Sequence, residues 1–124
     1  MFAPRRLRRR SKRFILKRME HPRTGQVAVI FVSESTGADE PGYAAAAKAM
    51  AELVAQQPGY RGVDWVGSPE GGEITISYWA DDASAAAWRD HPDHARIQHE
   101  GRGTWLKRYD LMVVDIRRGH QWER

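Results

Sequence analysis

Two strand-length segments of this chain are apolar on both sides, and that constrains its fold more than any other feature. In Gln26–Ser33 (QVAVIFVS), Val27, Val29 and Phe31 point one way while Ala28, Ile30 and Val32 point the other. Lys107–Ile116 repeats the pattern, with Leu111 and Val113 opposite Met112, Val114 and Ile116. A sheet with one face in water alternates apolar and polar residues, so these strands need cover on both faces. A chain of 124 residues has room for a single modest core.

The segments between supply helices for one face only. The loop SESTGADEPG follows the first strand, with Pro41 where a first helical turn tolerates it. Tyr43, Ala47, Met50, Leu53, Val54 and Gln57 then recur at helical spacing, ending at Pro58-Gly59. Tyr60–Val66 and Glu73–Trp79 read as a hairpin around Ser68-Pro69-Glu70-Gly71-Gly72. Asp81 or Asp82 caps a short helix over Ala83–Arg89. Pro92 opens a new helical piece in which His94, Ile97, Gly101 and Trp105 share a face. The order β-α-β-β-α-β predicts an α+β, ferredoxin-like fold with an antiparallel sheet and helices on one face. The second sheet face is expected to pack against another copy, giving a homodimer.

Charge is unevenly placed. Residues 1–18 carry nine Lys or Arg and no acid, whereas the rest carries eleven basic and sixteen acidic residues, a formal charge of −5. We expect residues 1–25 to be a basic, solvated extension, residues 26–118 the domain and residues 119–124 a short tail. The basic run also fits a phosphate-contacting arm, an anionic membrane surface or an Arg-rich targeting peptide. The acidic body argues against nucleic-acid binding as the main function. The chain has no cysteine, which rules out disulfides, thiolate metal sites and a Cys nucleophile. There is no apolar run of about 18 residues, so a protein off the membrane, in the cytoplasm, is expected.

Large aromatics and imidazoles gather around the helix broken at Pro92: Trp79, Trp88 and Trp105, with His91, His94 and His99. Such a concentration either lines a pocket or plugs a core. Trp88 suits both roles, and His94 is either a core histidine or a pocket residue. His99 points away from the apolar face, and His91 precedes Pro92, where a helix cap or an exposed turn is expected. A metal site from Asp90, His91 and His94 is not expected, because Pro92 interrupts the helical spacing such ligands would need.

Ser77-Tyr78-Trp79, the acidic helix start, Ala87-Trp88, His91-Pro92-Asp93-His94, Gly101-Arg102 and Trp105 together resemble the antibiotic biosynthesis monooxygenase family. Pro58-Gly59-Tyr60 fits as well, and the resemblance covers about residues 26–118. It implies a dimeric α+β barrel and a cofactor-independent monooxygenase acting with dioxygen on a small aromatic or quinol-type substrate. Within that reading Trp88, His94 and His99 are the candidate catalytic residues, with His94 or His99 as base. Tyr78, Trp79, Gln98, Arg102 and Trp105 are the candidate substrate-binding residues, and Trp65 is a further wall. The family also includes heme-degrading enzymes, which implies heme as an alternative ligand. Their tryptophan is matched by Trp88, but their histidine falls on Ile97 or Gln98, with His99 beside it. Their first-strand asparagine is absent, with only Ser33 near the end of that strand. A ligand-binding dimer without catalysis is the third reading.

Overall fold

The computed structural model describes residues 20–124. Residues Gln26–Asp115 form one compact unit, and the described residues 20–25 and 116–124 belong to a second. In that second unit the Gly25 amide donates to the Ile116 carbonyl at 2.9 Å, and the His21 ring nitrogen Nδ1 accepts from the Arg23 amide at 3.0 Å. The basic run of residues 1–18 lies outside the described residues.

Residues 26–115 fold as the ferredoxin-like arrangement. Strands β1 (Val27–Ser35), β2 (Tyr60–Gly67), β3 (Gly72–Trp79) and β4 (Leu106–Asp115) form an antiparallel sheet in the order β2-β3-β1-β4. The most apolar strand, β1, takes a central place between β3 and β4. Its register pairs Val27, Val29 and Phe31 with Trp79, Ser77 and Thr75 on one side and with Asp115, Val113 and Leu111 on the other.

Helix α1 (Glu40–Val54) starts at Asp39, whose carboxylate accepts from the Gly42 amide at 3.1 Å; Pro41 occupies the first turn. Asp39 itself has φ 50°, in the left-handed region that Asp tolerates better than most residues. A Cβ at position 42 would strike the Asp39 carboxylate, so glycine there is what lets the cap close. Asp81 caps α2 (Asp82–Arg89) by accepting from the Ser84 amide at 2.8 Å. These bonds hold the Asp81 carboxyl below the ordinary carboxylate range. His91 caps α3 (Pro92–Glu100) through Nδ1, which accepts from the Asp93 amide at 3.2 Å.

Past α3 the chain does not pass directly into the strand. Gly101–Trp105 makes a π-helical turn, a rare irregularity that is frequent at functional sites. It buries Trp105, whose indole N–H donates to Asp39 at 3.2 Å, while the Thr36 hydroxyl donates to the Thr104 carbonyl at 2.8 Å. Two segments far apart in sequence are thereby pinned together beside the start of α1.

The core comprises Val27, Val54, Trp79, Ala85 and Trp88, with Val29, Met50, Leu53 and Tyr60 packed against it. Trp79 has no solvent exposure, and its indole N–H is satisfied by the Ser77 hydroxyl at 2.9 Å. On the helix-free face, Ile74, Met112, Val114 and Val66 are exposed apolar side chains. No helix among the described residues is long and apolar enough to cross a membrane.

Candidate active site

Alanine at the right positions of α1 makes room for a cavity. Tyr43, Ala46, Ala47, Met50, Ala51 and Val54 recur at helical spacing and all face the sheet. Three of these six are alanines, too short to reach the strands beneath. The space left is a cavity of about 470 Å³, within the range usual for small-molecule sites. Its floor is the inward face of β1 and β3, and its far wall is built from α2, α3 and the π-turn.

His94 is the imidazole that lines it. The ring lies almost flat on Trp88, with centroids 4.3 Å apart and planes 13° apart. Nδ1 sits 3.0 Å from the Trp88 carbonyl oxygen. A carbonyl can only accept, so Nδ1 carries the proton and Nε2 keeps its lone pair. Burial pushes the ring's pKa down, the Trp88 carbonyl partly opposes this, and the nearby His91 adds to the depression. The result is a neutral imidazole with a basic Nε2 near neutral pH. Trp88 is itself held from below by Trp79, at 6.4 Å, and from the side by His91, at 5.6 Å.

The other polar groups of the cavity come from β3. Glu73, Thr75 and Ser77 alternate along the strand and all face inward. The Tyr43 hydroxyl donates to Glu73 Oε2 at 2.9 Å, and the Trp65 indole N–H reaches the same oxygen at 3.4 Å. Burial first, and then the bond to Glu73 and its charge, raise the Tyr43 phenol well above its ordinary pKa. Tyr43 is therefore a fixed donor to Glu73. Tyr43 also touches Trp105, with ring centroids 5.9 Å apart.

The structure brings Trp88, His94, Gln98 and Trp105 together around the cavity, with Trp65 at its rim. It places the remaining candidates elsewhere. Tyr78 lies on the opposite sheet face and donates to Asp64 at 2.7 Å. Trp79 is buried beneath Trp88 rather than lining the space. His99 is exposed on α3, outside the lining, and Arg102 is exposed with a long contact of 3.5 Å to the Tyr109 hydroxyl. Ser33 is buried, but it is not part of the lining. Sequence reasoning missed Glu73, Tyr43, Thr75 and Ser77. A signal for three of them was present: Glu73, Thr75 and Ser77 form a polar stripe at strand spacing, on the face opposite Ile74 and Ile76. No group of His, Asp and Glu able to hold a metal ion occurs among the described residues.

This geometry can be set beside known proteins. A family profile described as antibiotic biosynthesis monooxygenase matches residues 27–100. The chain belongs to that family. A curated relative, the uncharacterized protein YqjZ of Bacillus subtilis (strain 168), is 36% identical over 105 residues, covering 85% of this chain and 89% of the relative. The fold is shared with SnoaB of Streptomyces nogalater, described as a cofactor-independent oxygenase, at TM-score 0.63 and 15% identity over 73% of this chain and 92% of SnoaB. Rv0793 of Mycobacterium tuberculosis aligns at TM-score 0.63 and 19% identity, over 72% of this chain and 92% of its own. At these identities the solved structures speak to the fold alone.

Proposed function

We propose that this protein is a cofactor-independent monooxygenase of a small aromatic, quinol-type substrate, with His94 as general base. The observation that carries the reading is the half-buried His94 ring, which lines a largely apolar cavity and is bonded through Nδ1 so that Nε2 is the basic atom. Family membership and the shared fold with SnoaB, a cofactor-independent oxygenase, support it.

The chemistry needs little more. Nε2 removes the proton of a quinol hydroxyl, and the resulting anion donates an electron to dioxygen in a space that excludes water. Recombination forms a C–O bond, and the peroxide takes the proton of the quinol's second hydroxyl, leaving a hydroperoxide on the ring carbon. Cleavage of the O–O bond expels hydroxide, which takes the proton held on His94 and leaves as water, while the C–H proton of that carbon passes to a ring oxygen of the hydroxyquinone product. The quinol gives up two electrons in becoming a quinone and two more at the hydroxylated carbon. Dioxygen accepts all four, with one atom kept in the product and one in water. Trp88 holds the base in place by stacking, Gln98 offers an amide to the developing oxyanion, and Trp105 closes the apolar wall. His99, Tyr78, Trp79 and Arg102 have no direct part in this scheme.

The helix-free face completes the proposal. Ile74, Met112, Val114 and Val66 would be covered by the same face of a second copy, giving a homodimer with sheet facing sheet. Oxygen consumption with a series of hydroquinols, in the presence of a chelator, tests the activity. Uptake above the uncatalysed rate that disappears in His94→Gln supports it, and unchanged uptake in that variant overturns the assignment of the base.

A further inference from the structure

The cavity contains one carboxylate that the oxidation chemistry does not use. Among the described residues that line it there is no Lys or Arg, Glu73 is the one acidic group, and His94 is the one group able to become a cation. Among the described residues no cation pairs with Glu73. Tyr43 and Trp65 both bond Oε2, whereas Oε1 has no protein donor among those residues. A carboxylate has about four acceptor positions, so at least one is left without a donor among the described residues on a side chain that lines the cavity. No hydrogen bond joins it to His94, and it lies six residues along β3 from Trp79, under the other end of the cavity. The site thus has one carboxylate and one imidazole set apart, with Thr75 and Ser77 further along β3 on the floor.

We propose that Glu73 selects the substrate: it anchors a hydroxyl of a neutral, polyhydroxylated aromatic at the end away from His94 and turns away aromatic carboxylates. The proposal rests on the oxygenase reading only for which compounds matter. A hydroxyl that donates to a carboxylate makes a charge-assisted bond, stronger than one to a neutral acceptor. An anion brought to the same place meets a negative charge that no cation among the described residues offsets, and the repulsion weakens its binding. Tyr43 holds the carboxylate in position from α1. Burial first, and then the bond to Glu73 and its charge, raise the pKa of that phenol.

Calorimetric titration of the full chain at pH 7.5 with 2,6-dihydroxynaphthalene, 6-hydroxy-2-naphthoate and the naphthoate's methyl ester tests this. The diol and the neutral ester are expected to bind at least about tenfold more tightly than the acid. Glu73→Gln keeps an acceptor for Tyr43 while removing the charge, and should raise the acid's affinity by about tenfold or more with a smaller loss for the diol. Equal affinity for acid and ester in the wild type, or binding of none of the three, overturns the proposal. The acid–ester comparison needs no variant, so it stands even if Glu73→Gln fails to fold. Oxygen uptake is measured on the same compounds. Discrimination without uptake upholds Glu73 as the selector while counting against the oxygenase reading. Uptake that makes no distinction between acid and ester does the reverse.

Discussion

The His94 imidazole lies flat on the Trp88 indole, 4.3 Å away, and is tied through Nδ1 to the carbonyl of that same residue. One residue thus fixes both the plane of the ring and its tautomer. The arrangement leaves Nε2 as the basic atom, and the other side of the indole rests on the wholly buried Trp79.

Substitution of His94 should remove turnover while leaving binding largely intact. General-base catalysis contributes on the order of 10²–10⁴-fold, and a loss of that size in kcat is expected for His94→Gln. Because burial depresses the ring's pKa, the wild type should keep its activity below pH 6.5 and lose it only at lower pH. A pH profile of oxygen uptake measures both effects.

The same shift makes stability depend on pH. The neutral form of His94 is favoured in the folded state, so the unfolded chain binds more protons as pH falls through the unfolded value near 6.5. The stability contribution is complete above that value, declines as pH falls through it, and levels off below the folded pKa. Urea denaturation between pH 8 and pH 5 should show this decline in the wild type and a shallower one in His94→Gln.

Much of the fold was legible because strands and helices impose different periods. The two-sided apolar strands and the break at Pro92 depend on neighbours in sequence and stand where that local logic put them. Of the alternatives left open, the structure takes Asp81 over Asp82 as cap and a cap over an exposed turn at His91. The π-turn at Gly101–Trp105 carries no local signature, since it depends on Thr36 and Asp39, more than sixty residues earlier. The site was legible only in part for the same reason. Trp88, His94 and Gln98 lie close together along the chain, whereas the Tyr43–Glu73 pair joins α1 to β3 across 30 residues. Tyr78 and Trp79 are neighbours on one strand and so point to opposite faces, a distinction that clustering of aromatics in sequence does not reveal.

The alanines of α1 keep the cavity open. Ala47→Phe should fill it and weaken ligand affinity by at least about tenfold, roughly 1.4 kcal/mol. Position 47 is exposed, so the fold should lose little stability. Calorimetry with 2,6-dihydroxynaphthalene and thermal unfolding separate the two effects.

A charge on the helix-free face should prevent self-association. Met112→Lys and Ile74→Asp place unpaired charges among exposed apolar side chains that a second copy would bury. Sedimentation velocity should show a dimer for the wild type and a monomer for each variant. A wild-type monomer would contradict the dimer.

Incubation of the purified, chelator-treated protein with a hydroquinol under ¹⁸O₂, with and without added hemin, tests the central claim most directly. The account predicts one ¹⁸O atom in each molecule of quinone product without hemin, at a rate that collapses in His94→Gln. Incorporation no faster than in the absence of protein, or incorporation that appears only when hemin is added, would contradict it.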